Sequence, residues 1–230
     1  MTLLEAIKQR HSVRRYVHKP LSAEIVKTLQ NKIDECNAEG GLHIQLVTNE
    51  TRAFTGLFSY GKFSGVENYI VMVGKKADDL DERVGYYGEQ LVLLAQTLGL
   101  NTCWAGLSYR RVDEAYSVGD DEKLTCMIAL GYGATQGHKR KSKTAEQVSN
   151  VSSESPEWFR KGVEAVLMAP TAINQQKFSF TLLPNEQDTE DKPKVLAKRG
   201  FSMVGYTKMD IGIARLHFEI GAGTENFDWA

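Results

Sequence analysis

The chain has 230 residues, 42% of them hydrophobic, enough to close one large core or two small intertwined halves, which excludes disorder as its main state. Its 28 lysines and arginines nearly cancel its 29 aspartates and glutamates, so no global field draws it to nucleic acid or an anionic membrane, and any anion site must be local. Three scattered cysteines (Cys36, Cys103, Cys126), charges within residues 1–10, and no run of about eighteen apolar residues predict a soluble, cytoplasmic protein with reduced thiols and no membrane partner.

Thr2 and Glu5 stand at capping-box spacing with Leu3, Leu4 and Ile7, so a helix opens the chain and runs into Arg10-His11-Ser12. Ser22 then caps a second helix with Ile25, Leu29 and Ile33 on one face, ended by Gly40-Gly41. Residues 43–48 and 69–74 are short apolar, β-branched runs that predict strands. Residues 86–98 form an almost uncharged helix closed by Gly99, the pattern of a helix at a domain's centre, and 124–131 reads as a buried strand. Residues 138–143 are basic and 144–155 polar and serine-rich, a connection between halves. Ser155-Pro156 predicts an N-cap followed by proline at the first helical position, opening a helix that ends at Met168-Ala169-Pro170. Residues 177–183 alternate as a strand, 185–192 form an acidic surface loop, and 209–221 a second central helix. Segments 32–49 and 167–185 pair as helix end, turn and strand. Segments 92–100 and 214–222 pair as glycine-stopped helices. With few identities, this repeat suggests two halves, 1–150 and 151–230.

Four stretches carry chemistry. Arg10-His11-Ser12-Val13-Arg14-Arg15-Tyr16 sets guanidinium groups and a hydroxyl where the first helix ends, a set that suits a phosphate dianion. The same residues also read as a cationic C-terminus compensating the helix dipole. Lys139-Arg140-Lys141-Ser142-Lys143, just after a strand and a Gly-Tyr-Gly turn, reads as a phosphate clamp or as a solvated basic loop. It is too short, and too poor in aromatics, for a nucleic-acid surface. Ala169-Pro170-Thr171-Ala172-Ile173-Asn174-Gln175-Gln176 combines small residues with carboxamides, suited to the polar edge of a flavin, or forms an ordinary helix–strand connection. Cys103-Trp104-Ala105-Gly106-Leu107 presents either an open backbone for a ligand or a core turn packed by tryptophan. The histidines show no metal spacing, and His217 reads as a core residue. No nucleophile elbow and no Gly-x-Gly-x-x-Gly cradle is present.

"RHSVRRY", "LLAQTLGLNTCWAGL", "IALGYG" followed by lysines, and "APTAINQQ" together resemble the FMN-dependent nitroreductase family over nearly the whole chain. The resemblance implies an α+β, nitroreductase-like fold: two similar helix–sheet halves forming a pseudo-twofold unit around central helices. It implies that Arg10, His11, Ser12, Arg14, Lys141 and Lys143 lie at the FMN phosphate. Trp104, Ala105 and Gly106 form a turn donating backbone N–H toward the flavin N5, and Pro170, Thr171, Ala172, Asn174 and Gln176 line the ring. The Ala-Pro motif comes late in the chain, whereas ordinary members carry it early and reach with it into a partner's site. The chain therefore resembles a branch in which both dimer halves are fused, with one complete FMN site, as a monomer with internal pseudo-symmetry or, alternatively, a homodimer.

The implied activity is an FMN-dependent oxidoreductase with ping-pong hydride transfer: NADH or NADPH is a transient donor, and a nitroaromatic, quinone or similar small molecule is the acceptor. No side chain need be catalytic, since the flavin carries the chemistry, and no metal is required. Alternatives are a dehalogenase or dehydrogenase relative, and a flavin-binding redox module without turnover.

Overall fold

The computed structural model describes residues 1–55, 63–184 and 192–230. Residues 185–191 of the predicted acidic loop lie outside the described residues. The first sheet has the strand order β1-β2-β4-β3, with β1 Gln45–Val47, β2 Asn68–Lys75, β3 Asn101–Ala105 and β4 Glu122–Gly131, all neighbours antiparallel. β2 and β4 are apolar along nearly their whole length because both sheet faces are covered. Ile70 and Met72 join the core beneath the helices, while Tyr69, Val71 and Val73 join a second cluster with Phe54, Phe63, Val112 and Tyr116.

The helices are α1 Leu3–Gln9, α2 Ala23–Gly40, α3 Leu80–Thr97, α4 Glu157–Val166 and α5 Thr207–Ala222. The Thr2–Glu5 capping box and the Ser22 cap form as their sequences dictate, and Gly41 closes α2 in the left-handed conformation. Leu3 and Leu4 are exposed, however, and α1 buries only Ala6 and Ile7. α3 begins six residues before the predicted helix. Its first turn is charged and satisfied from outside: Arg83 binds Asp79 and the Gly40 carbonyl, and Glu82 binds Arg215. α4 begins one residue later than expected, with Pro156 as the flanking residue. The Ser155 hydroxyl does not cap it but accepts the Ser152 N–H at 3.0 Å.

A second sheet consists of β5 Phe178–Leu182, β6 Lys194–Arg199 and β7 Asp228–Trp229, with β5 antiparallel and β7 parallel to β6. Neither β6 nor β7 is apparent in the sequence: β6 carries three basic residues, Lys194, Lys198 and Arg199, spread over both registers, and β7 is two residues long. The order α2-β1-β2-α3 recurs as α4-β5-β6-α5, each with an antiparallel strand pair. The two sheets are completed differently, the first by β3 and β4 and the second by β7 alone. One core runs through both halves, from Leu29 and Ile70 to Phe180 and Phe218. At its middle α3 and α5 meet backbone to backbone: a side chain at Gly85 would strike the Met209 carbonyl, and one at Gly212 the Glu82 carbonyl. No helix among the described residues is long and apolar enough to cross a membrane.

Candidate cofactor site

Residues 10–17 run extended along the outer edge of β3. Val13 N–H reaches the Thr102 carbonyl at 3.0 Å, Ser12 bridges Thr102 in parallel, and Val17 N–H reaches Tyr132 O at 2.8 Å. The loop after β4 then folds back over this segment. Gly133 N–H donates to Asn101 Oδ1 at 3.0 Å, and Asn101 Nδ2 to Gln136 Oε1 at 3.2 Å. Gly137, at φ 77°, lies so close to His11 that a Cβ there would be 2.6 Å from the histidine Cβ. Only glycine lets the loop approach in this conformation. The loop delivers Arg140 beside Arg10: burial first, and then the Arg10 charge, push the Arg140 guanidinium down to about 10. His11 is lowered by burial and by the charges of Arg10, Arg140 and His138.

Arg10 is itself buried, and its Nε lies 3.7 Å from Glu89 Oε1. Glu89, on α3, is inaccessible to solvent and accepts from Trp104 Nε1 at 3.0 Å. It also faces His217 Nε2 of α5 at 2.9 Å, and the other ring nitrogen of His217 meets the Ala165 carbonyl at 3.1 Å. Gly88 leaves room for the Trp104 ring, which a Cβ there would meet at 2.5 Å. A single carboxylate thus ties the N-terminal motif, β3 and the second central helix together.

The 171–176 turn is the third component. Ile173, Asn174 and Gln176 all have left-handed φ values of 46°, 60° and 46°, conformations that cost a side-chain-bearing residue energy. The turn is held by buried Asp210 of α5, which accepts Ala172 N–H at 2.9 Å and Gln175 Nε2 at 2.6 Å. Burial pushes the Asp210 carboxyl up to about 6 against these two hydrogen bonds and the Arg140 charge. Among the described residues, two buried side-chain polar atoms lack a hydrogen-bond partner: Arg10 Nε and Gln175 Oε1. They belong to the two motifs that the sequence pairs.

A family model described as "Putative TM nitroreductase" matches residues 2–222. The chain belongs to this nitroreductase family. No curated protein matches it by sequence at a significant level. Among solved structures it is similar to the "putative nitroreductase" of Thermotoga maritima MSB8, at TM-score 0.63 and 24% identity over 96% of this chain and 83% of that one. It is also similar to a "putative nitroreductase" of Desulfovibrio desulfuricans in complex with FMN, at TM-score 0.51 and 18% identity over 68% of this chain and 98% of that one. Nitroreductase A of Vibrio parahaemolyticus RIMD 2210633 matches at TM-score 0.52 and 16% identity, over 64% and 74% of the two chains. These likenesses establish the nitroreductase fold.

Within this nitroreductase fold the expected site residues take varied positions. Arg10 is buried, His11 and Ser12 are half-buried, and Ser12 lies beside the Cys103 thiol. Arg14 is exposed. Trp104 and Ala105 are not in a turn but in β3, paired with Ile128 and Met127, and Gly106 follows directly. The alternation of β3 is masked in the sequence by its polar first residues and the small Ala-Gly pair. Lys141 is exposed, and its carbonyl accepts from Asn174 Nδ2 at 2.8 Å and Gln176 Nε2 at 3.2 Å. Lys143 Nζ is spent on the Gln176 carbonyl at 2.6 Å, and its N–H on Gln176 Oε1 at 2.9 Å. Thr171 Oγ1 accepts the Gln176 N–H, and Pro170 is buried. The carboxamides of Asn174 and Gln176 therefore tie the basic loop to the second half.

Sequence reasoning missed Glu89, Arg140, Gln175 and Asp210. Arg140 and Gln175 stand inside the basic and carboxamide stretches, next to residues singled out there. Glu89 and Asp210 carried a usable signal: each is an acid set in an apolar helix that must be buried, and a buried acid needs a partner.

Proposed function

We propose that this chain is an FMN-dependent oxidoreductase that takes electrons from NADH or NADPH and passes them to a nitroaromatic, quinone or similar small acceptor. Family membership and fold support the class. The observation that carries the cofactor is the pair of orphaned buried atoms. Arg10 Nε is a cationic donor beside Arg140, and Gln175 Oε1 is an acceptor in the strained turn. A phosphate at one end and an N–H or hydroxyl edge at the other would give both a hydrogen-bond partner, where Arg10 Nε otherwise has only the longer 3.7 Å contact to Glu89 Oε1. FMN has both ends.

In this reading Arg10 and Arg140 hold the phosphate, with Ser12 as a neutral donor, and Glu89 fixes the Arg10 guanidinium. Gln175, oriented by Asp210, accepts from the polar ring edge or ribityl chain. The backbone at Ala105–Gly106 borders the ring, with the Tyr206 phenol against Gly106. Bound FMN supplies two-electron hydride chemistry, so the protein's part is orientation and electrostatics. The arginines come from residues 1–150, and Gln175 and Asp210 from 151–230, so one chain completes one site. The recurring α-β-β-α order supports a pseudo-twofold, fused arrangement working as a monomer.

The test is direct. Protein saturated with FMN and then desalted is expected to keep one flavin per chain by absorbance and native mass spectrometry. Anaerobic NADH or NADPH should bleach it, and menadione or nitrofurazone should restore the oxidised spectrum. A chain that retains no flavin sinks the cofactor assignment. One that binds flavin but is never bleached sinks the enzyme. Two flavins per chain would refute the single fused site.

A further inference from the structure

The segment between β6 and α5 ends against the end of β3. A Cβ on Gly106 would lie 2.5 Å from the Tyr206 hydroxyl oxygen and 2.6 Å from its ring Cζ, so the phenol rests directly on the Gly106 backbone. Tyr206 has φ 60° and follows Gly205 at φ 79°, two consecutive left-handed residues immediately before the helix. A tyrosine in that conformation persists only where its surroundings fix it. Here they do: Gln175 Nε2 donates to the Gly205 carbonyl at 3.0 Å as well as to Asp210, and the Asp210 N–H donates to the Tyr206 carbonyl at 2.9 Å. The strained 171–176 turn and the strained Tyr206 are one hydrogen-bonded unit, and its phenol reaches across to β3.

The surroundings of that phenol are apolar. Among the described residues, the large hydrophobic side chains left exposed beyond residue 17 are Leu107, Ile173, Phe201, Met203 and Val204. All five belong to the three segments that Tyr206 joins: the end of β3, the 171–176 turn, and its own loop. Isolated exposed hydrophobics are ordinary, but their concentration on three converging loops marks a contact surface. Partial burial raises the Tyr206 phenol above its ordinary range, so it stands as a hydrogen-bond donor at neutral pH.

We propose that Tyr206 is the specificity-determining residue for the electron acceptor, its hydroxyl donating to a nitro or carbonyl oxygen at the edge of a flat apolar molecule whose body rests on Leu107, Ile173 and Phe201. The proposal rests on the reading of Ala105–Gly106 as the backbone beside the flavin ring. It goes beyond that reading by assigning the acceptor side to the second half of the chain. The interaction is a hydrogen bond that orients the acceptor, and it moves no electron itself.

The test uses the FMN-loaded protein and Tyr206→Phe, which keeps the ring and deletes the donor. With menadione and nitrofurazone, kcat/KM is expected to fall about tenfold, the worth of one well-placed hydrogen bond. Reduction of ferricyanide, which takes electrons without an oriented hydrogen bond, should stay within about twofold, as should the rate of flavin bleaching by NADH or NADPH. Tyr206→Ala should further narrow the preference for menadione over ferricyanide. Equal losses with all three acceptors, no loss with any, or loss of flavin from Tyr206→Phe would each overturn the assignment. Failure of the underlying reading looks different, because the unsubstituted protein would then retain no flavin, or would hold a flavin that neither NADH nor NADPH bleaches.

Discussion

Glu89 Oε1 and His217 Nε2 lie 2.9 Å apart, and solvent reaches neither side chain. His217 faces an oxygen at both ring nitrogens, and the Glu89 carboxylate in turn steadies Arg10 and Trp104. Removing one partner of a buried pair strands the other, which typically costs about 3–5 kcal/mol. His217→Ala should lower the urea midpoint accordingly, with Glu89→Gln milder because its amide oxygen can still accept from Trp104. A His217→Ala protein within about 1 kcal/mol of the parent would show that the pair carries no such weight.

The phosphate assignment separates neighbouring residues in the basic loop. Arg140 is buried beside Arg10, whereas Lys141 is exposed and contributes its carbonyl to the turn. Arg140→Ala should weaken FMN about tenfold or more while changing riboflavin affinity little, since a charge-assisted bond is worth roughly 1.5–3 kcal/mol. Lys141→Ala should leave both nearly unchanged. Fluorescence titration with the two flavins makes the comparison, and a larger effect at Lys141 would reverse the assignment.

Asp210 gives the protein a pH signature. Its carboxyl is pushed up to about 6, mainly by burial, from an ordinary 3.8. The folded state therefore holds a proton that the unfolded state has already released, and stability falls as pH rises between about 4 and 6. The loss from this group is about 3 kcal/mol in order of magnitude once both states are ionised. In Asp210→Asn the amide can still accept the Ala172 N–H, and Gln175 can turn its unpaired Oε1 toward the new amide N–H. The difference in unfolding free energy between variant and parent should therefore grow in the variant's favour across this window. A pH-independent difference would contradict the assignment.

Ile173 is exposed, β-branched and left-handed. Glycine adopts that conformation without penalty, and even after its greater unfolded-state entropy Ile173→Gly should stabilise the protein by about 0.5–1 kcal/mol. Differential scanning calorimetry would show it as a rise in Tm. A fall would mean that the Ile173 side chain contributes packing that outweighs the strain.

What the residues revealed and what they hid divides along physical lines. α1, α2, β2 and the centres of α3 and α5 are legible because periodicity and caps are local properties of the chain. Trp104 and Ala105 were misread as a turn because a five-residue strand takes its identity from β4 beside it, and β6 and β7 likewise depend on pairing rather than composition. In the candidate site the motifs are legible as stretches, but which of their side chains turn inward is not. Arg140 is drawn inward by its Nη2 bonds to the Leu167 and Ala169 carbonyls while Lys141 stays exposed, and Gly133 and Gly137 guide the loop through close approaches outside the basic run. Glu89 and Asp210 matter through partners 15 or more positions away in sequence, which no local pattern records.

The crossing of α3 and α5 constrains how such a chain can diverge. At Gly85 and Gly212 the obstacle to any side chain is the opposing backbone, Met209 carbonyl in one case and Glu82 carbonyl in the other. No compensating change in a neighbouring side chain can make room, so neither position has a route to another residue that leaves the helices where they are. Most other positions along the two helices face side chains, which can change together. The two glycines are the mark that sequence drift must spare, and a distant relative built on the same single chain should be recognisable by them when little else in its sequence aligns.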